Sequence, residues 1–400
     1  MTLEHVRNLS GGINQTGVRD YNERLLLSVL QRNGGLPGSD LARRTGLSPQ
    51  TASVILRKLE QDGLLCKGAP VKGRVGKPSV PYSLNAEGVF SLGLKVGRRS
   101  ADLVVLDFLG DVRHQLRHGY DYPFPDTVFG FLRSGYATLM HEMPEPMRKR
   151  LCGVGVAAPF ELWNWHELLG APPDKFAAWR DADFTAEIAK VTDLPVHTVN
   201  DATAACRAEH VFGIGREYRD YVYFFLGAFA GGGIVLDHAV FEGNQNNAGA
   251  FGSLPVPDLH GNPRQLIDLA SIRTLEMHLT DAGQDARQLW RLPQDWSHLE
   301  TFVAPWLEQT ADALAWASVA SCAILDFEAV VIDGALPVNI RARLVDMTRA
   351  RLATKDMRGL IRPVTVAGNI GANARGIGAA AGPIISQLLL DRSAAIFDSG

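Results

Sequence analysis

In the stretch SPQTASVILRKL, beginning at Ser48, the residues Ala52, Ile55, Leu56 and Leu59 recur at i, i+3, i+4 and i+7, the stripe of a helix with one buried face. At about 100° per residue, Gln50, Val54 and Arg57 fall on the opposite face, flanked by Thr51, Ser53 and Lys58. These side chains match the chemistry of duplex DNA: an amide for adenine, a guanidinium for guanine or a phosphate, hydroxyls for phosphates, an apolar group for a thymine methyl. Ser48, Gln50, Thr51, Ser53, Val54, Arg57 and Lys58 are therefore the first candidate contacts with double-stranded DNA. An ordinary amphipathic helix with a solvated face would carry the same stripe.

The surrounding elements favour the DNA reading. NERLLLSVLQR at 22–32 places Leu26, Val29 and Leu30 at helical spacing, and Gly34-Gly35 ends the segment. Ser39 is placed to cap a short second helix, DLARRTG, closing at Gly46; Ser48 caps the third, with Pro49 in its first turn, where a missing N–H costs least. The few residues between those helices are what a helix-turn-helix requires. KGAPVKGRVGKPSVPYSLN then offers two short strand-like pieces around a turn bearing Lys72, Arg74 and Lys77. A basic hairpin tip there reads as a wing for phosphates or the minor groove, against the alternative of a solvated basic loop.

Charge follows the same division. Residues 1–85 hold 12 Lys plus Arg against 6 Asp plus Glu, whereas the remainder holds 28 against 37, so only the head suits a polyanion. An apolar fraction of 46% and a charged fraction of 21% over 400 residues describe a globular chain of two or three folding units. No apolar run approaches the roughly 20 residues of a membrane span, and MTLEHVRNLSGG lacks the apolar core of a secretion signal, so cytoplasmic work without membrane contact is expected. Cys66, Cys152, Cys206 and Cys322 are too scattered for a metal cluster and read as reduced, packed thiols.

From about residue 90, apolar strands alternate with amphipathic helices, as in an α/β domain. SLGLKVG and ADLVVLDFLGDV form one strand pair, and YVYFFLGAFAGGGIVLDHAVFEG another joined through glycines, which let backbone amides approach a phosphate or a sugar hydroxyl. The segment LPVHTVNDATAACRAEHVFGIGREYRDYVYFFLGAFAGGGIVLDHAVFEGNQNNAGAFGSLPV resembles the central signature of the ROK family, which includes bacterial sugar kinases and sugar-responsive repressors of the actin-like ATPase fold. The resemblance extends to GKPSVPYSLN, GVGVAAP, VIDGALP and GNIGANARGIGAAAG, hence to nearly the whole chain. ROK kinases lack the basic head, so the resemblance implies the repressor branch.

Departures from the family pattern remove chemistry. The first phosphate loop of the kinases, Asp-x-Gly-Gly-Thr, reads LKVGRRSADL here, with Arg98, Arg99 and Ser100 in the small turn. The second, Gly-Thr-Gly-x-Gly-Gly-Gly, reads GAFAGGG, with Ala228 for the threonine and Phe229 for a glycine. Asp201 of the pair Asn200-Asp201 keeps the position of the family's base, yet a base alone does not transfer phosphate. The same pair could simply cap the helix DATAACRAEHVFG. The sugar motif Gly-Glu-x-Gly-His becomes Gly249-Ala250-Phe251-Gly252-Ser253, and the zinc loop Cys-x-Cys-Gly-x-x-Gly-Cys becomes the cysteine-free PDLHGNPRQLIDLAS. His260 alone cannot supply zinc's four ligands, so neither metal, ATP nor another cofactor is expected, and no residue is assigned a catalytic role.

These readings predict an α/β protein with an N-terminal winged helix-turn-helix at 1–85 and an actin-like (ribonuclease H-like) two-lobed body. The small lobe runs over 86–200 and is completed by about 381–400; the large lobe runs over 201–380. A sugar-like small-molecule effector is expected in the cleft between them, at Asn200, Asp201, Asn247 and Ser253, and a homodimer or dimer of dimers on DNA. An active sugar kinase with an added head, a repressor blind to ligands, and a head that binds protein are the alternatives. GIGAAA at 376–381 fits a dinucleotide fingerprint formally, but reads better as a helix packing through small residues. Trp163, Trp165 and Trp179 with His166 could stack on a ligand ring, although core packing is the commoner fate of such residues.

Overall fold

The computed structural model describes residues 15–70, 79–159, 162–166 and 171–390. In the head, α1 (Gln15–Asn33), α2 (Gly38–Thr45) and α3 (Pro49–Gln61) pack on a small antiparallel sheet of β1 (Leu36–Pro37), β2 (Leu65–Lys67) and β3 (Pro81–Leu84) in the order β1-β3-β2. Gly46 ends α2 with φ of 71°, a conformation that a side chain would strain. Ser39 does not cap α2. Pairing of Pro37 with Pro81 fixes the cap two residues earlier, at Pro37, and leaves Ser39 inside the first turn. The wing candidates Lys72, Arg74 and Lys77 lie outside the described residues.

The body holds two five-stranded sheets of one design. The first joins β4 (Phe90–Val96), β5 (Ser100–Asp107), β6 (Val112–Gly119), β7 (Leu151–Ala158) and β8 (Val196–Asn200) in the order β6-β5-β4-β7-β8. The second joins β9 (Tyr221–Leu226), β10 (Ala230–Leu236), β11 (Ala239–Phe241), β14 (Ala329–Gly334) and β15 (Val364–Ala367) in the order β11-β10-β9-β14-β15. In each, three strands meander antiparallel and two more add in parallel. A short hairpin of β12 (Pro255–Pro257) and β13 (Pro263–Gln265) projects from the second unit. Every residue of β4 and β5 is buried, as strands covered on both faces must be, while β6 alternates and keeps one face wet.

Helices α4 (Pro125–Glu142), α5 (Asp201–Phe212), α6 (Ile272–Asp281), α7 (Glu300–Ile324), α8 (Val338–Thr354) and α9 (Ala374–Leu388) cover these sheets. The helix that closes the first sheet is α9, which begins at Ala374, ahead of the expected 381; residues 391–400 lie outside the described residues. It packs on β4, β5 and β7 and along α5 at near-zero clearance. A Cβ on Gly378 would stand 1.7 Å from the carbonyl oxygen of Ala204, and one on Gly155 would stand 1.7 Å from that of Ala379. GIGAAA is thus a small-residue packing face. Among the cysteines, Cys206 and Cys322 are buried, but Cys66 is exposed on β2, where the packed reading does not apply.

Gly378→Ala is expected to lower stability by about 1–3 kcal/mol or more, because backbone and not a movable side chain stands in the way. Gly130→Ala in α4, with nothing within 4 Å of the added Cβ, is expected to be neutral or stabilising by about 0.5–1 kcal/mol. Paired denaturant melts check both signs.

Candidate functional site

On α3, the Ser48 hydroxyl accepts from the Thr51 amide at 3.1 Å and Pro49 holds the first turn, which orients the helix. Burial of Ala52, Ile55, Leu56 and Leu59 leaves Gln50, Thr51, Ser53, Val54 and Arg57 exposed beside Ser48. Val54 is 52% exposed, which core packing does not explain. Arg57 Nε donates to the Ser53 carbonyl at 3.2 Å. Lys58 differs: its ammonium is ion-paired with Glu23 of α1 at 2.8 Å, so it ties α3 to α1.

The second constellation lies between the lobes. Asn200, Asp201, Asn247 and Ser253 all line one cavity of about 250 Å³, together with Arg98, Trp165, Phe229 and Arg375. Asn200 caps α5, its side-chain oxygen accepting from the Ala202 amide at 2.9 Å, and still borders the cavity, so the cap and the contact reading are compatible. Asp201 is ion-paired with Arg375 at 3.0 Å, and the Arg375 guanidinium lies 5.1 Å from the Phe225 ring centroid. Trp165 and Phe229 meet edge to face at 5.0 Å on the wall. Trp179 is core, its indole donating to the Pro123 carbonyl at 2.7 Å, and Trp163 packs at the core margin. Trp165 alone of the three reaches the cavity.

The turn after β4, which the family resemblance assigns to phosphates, already grips a carboxylate. Arg98 and Arg99 hold Glu276 of α6 at 3.1 and 3.0 Å, and the Trp290 indole donates to the same group at 2.6 Å. Glu276 occupies donors of both arginines of the first turn, and Phe229 replaces a glycine of the second. ATP does not fit these residues. The β12–β13 loop does not fit zinc either. The Asp258 carboxylate closes it by accepting from the Asn262 side-chain amide at 3.0 Å and from the Asn262 and His260 backbone amides, each at 2.9 Å, and these bonds, that of the Asn262 side chain first, hold the carboxyl below its ordinary range.

Beneath the turn, the Lys95 ammonium is buried and donates to Asp102 at 2.9 Å and to the Ser100 hydroxyl at 3.1 Å. Burial, then the nearby Arg375 charge, push the Lys95 pKa down to about 8 against the pull of Asp102. Burial alone would raise Asp102, but Lys95 and Arg117 outweigh it and bring that carboxyl down to about 2.

A model described as the ROK family matches residues 91–381, and one described as winged helix-turn-helix DNA-binding matches residues 19–65. An uncharacterized protein of Sinorhizobium fredii, y4fQ, is 26% identical over 364 residues, covering 90% of each chain. The xylose repressor of Bacillus spizizenii is 23% identical over 247 residues, 62% of this chain and 63% of that protein. The alignment therefore spans less than two thirds of that repressor. Among solved structures, a ROK family transcriptional regulator homologous to the Escherichia coli MLC protein aligns with a TM-score of 0.65 at 19% identity, covering 94% of this chain and 99% of that one. A ROK glucokinase from Streptomyces griseus, crystallised with glucose and AMPPNP, shares the fold at 0.55 and 19%, over 73% of this chain and 98% of that one.

For Lys95, the folded value of about 8 lies below the ordinary 10.5, so between these pH values the unfolded chain holds a proton the folded chain has lost. Its penalty is complete below about pH 8 and is relieved as pH rises towards 10.5. Lys95→Met is expected to remove that alkaline gain, read as the difference in urea midpoint between wild type and variant across the window.

Proposed function

The chain belongs to the ROK family, and from that premise, with its winged helix-turn-helix head, we propose that it is a DNA-binding transcriptional repressor of sugar-related genes whose grip on an operator is set by a small sugar-like ligand in the cleft. The exposed face of α3 reads base edges through Gln50, Val54 and Arg57. Lys72, Arg74 and Lys77, which lie outside the described residues, hold phosphates. Two copies related by a two-fold axis read half-sites about one helical turn, or a multiple of it, apart. Work on DNA supports a cytoplasmic protein.

The observation that carries this reading is the pair of helices that start at the cleft and end against α1. Helix α5 begins with Asp201, and near its far end the Val211 carbonyl accepts from Gln31. Helix α9 begins beside Arg375; just beyond its far end the Leu389 carbonyl accepts from Arg24 Nε at 2.8 Å, and the Leu390 amide donates to Ser28 Oγ at 2.8 Å. Packed without clearance and spanning about 18 and 22 Å at 1.5 Å per residue, the two move as a unit. A ligand that engages Asn200, Asp201, Asn247 or Ser253 changes how the lobes sit on that unit and so how α1 presents α3.

Transfer of phosphate is not part of the proposal, because Arg98, Arg99 and Phe229 stand in the phosphate turns and Glu276 of α6 occupies the two arginines. Incubation with ATP and a panel of hexoses is expected to yield no phosphorylated sugar; product formation would restore the kinase reading. Arg57→Ala is expected to weaken binding to a selected genomic operator by about 1–3 kcal/mol, with a smaller loss on random DNA, in a fluorescence anisotropy titration. Equal losses on both would take Arg57 out of the base-reading set. Lys77→Ala is expected to lower affinity for all duplexes alike and flatten the salt dependence.

A further inference from the structure

The charge balance of the cleft does not suit a neutral sugar. Arg98 and Arg375 line the cavity, Arg99 shares Glu276 with Arg98, and Arg273 is close enough to act on Arg98 electrostatically. Three guanidinium groups, Arg98, Arg99 and Arg375, therefore face two carboxylates, Asp201 and Glu276, while Arg273 lines a neighbouring cavity with Asp258 and Asp268. Behind them the buried Lys95 is balanced by Asp102 at 2.9 Å. A second observation concerns hydrogen bonds. Among the described residues, the Nε atoms of Arg98, Arg99 and Arg375 are buried without an acceptor, although each of these side chains already bonds a carboxylate through another nitrogen. A buried donor left without a partner costs about 1–3 kcal/mol, and that cost ends when an acceptor arrives. The wall opposite offers no carboxylate for sugar hydroxyls: residues 249–253 are Gly, Ala, Phe, Gly and Ser.

We propose that the cleft ligand carries an anionic group, as a sugar acid or a sugar phosphate does, and that Arg98 and Arg375 receive it. This rests on the effector site proposed above. The guanidinium fork takes a carboxylate or phosphate through two parallel charge-assisted bonds, and both side chains line one cavity. Trp165 and Phe229 give the sugar ring an apolar wall, while Asn200, Asn247 and Ser253 remain for its hydroxyls. At about 250 Å³ the cavity suits a monosaccharide with one small charged group and not a nucleotide.

The test is calorimetric titration of the full-length protein with matched sets built on glucose, galactose, mannose and xylose: the neutral sugar, its uronic or aldonic acid, and its phosphate. Acetate and inorganic phosphate serve as bare anions. The expected result is that a charged member binds at least about tenfold tighter than its neutral parent, the scale of one charge-assisted hydrogen bond. Acid over phosphate, or the reverse, identifies the source of the anion. Arg98→Gln and Arg375→Gln are expected to reduce the preference to about twofold or less, while Arg98→Lys keeps part of it. The wild-type comparison stands even if a variant fails to fold. A neutral sugar that binds as tightly as its acid and its phosphate overturns the inference and leaves the effector reading intact; no binding by any member overturns both.

Discussion

The structure depends on one contact in which there is no room for a side chain. Gly378 of α9 lies against the Ala204 carbonyl of α5, and the neighbouring Ala379 lies against Gly155 of β7. Such an approach lets a helix seat deep on a sheet and beside a second helix, and the result is a stiff double rod. Its near ends carry Asp201 and Arg375 into the cleft and its far ends bond α1 of the head. Because packed interiors shift between discrete arrangements and do not deform smoothly, such a rod is suited to carry a change at one end to the other.

A second theme is the replacement of bound groups by internal ones. Where the family pattern provides a glycine turn for phosphates, Arg98 and Arg99 hold Glu276 across the cleft, so an ion-pair triad joins the lobes from within. At the loop where the pattern places zinc-binding cysteines, Asp258 closes the turn with amide hydrogen bonds. Both changes keep the scaffold while replacing the family's phosphate and zinc patterns with internal bonds. Arg98 and Arg99 of the first turn keep buried Nε donors without an acceptor.

Much of this was legible in the sequence, and the exceptions have physical causes. Helix α3 could be read because its stripe, its Ser48 cap and Pro49 act within a few residues of one another, and Asn200, Asp201, Asn247 and Ser253 converge on one cavity as the family resemblance implied. Ser39 misled because a strand pairing with Pro81, far along the chain, sets where α2 begins. Arg375 and Glu276 were invisible as site residues because their partners, Asp201 and Arg98, lie 174 and 178 positions away and no local pattern announces them. Lys58 carries the spacing of a DNA contact, but Glu23 on another helix competes for it. Trp165 and Trp179 look alike in sequence, and only the fold separates the cavity wall from the core.

The central claim is that occupancy of the cleft is felt by the DNA-reading head. Operator dissociation constants measured on the full-length protein, with and without a saturating cleft ligand, test it most directly. The account predicts a change of about fivefold or more, the lower edge of ordinary coupling between distant sites. Identical constants in the two conditions would contradict it.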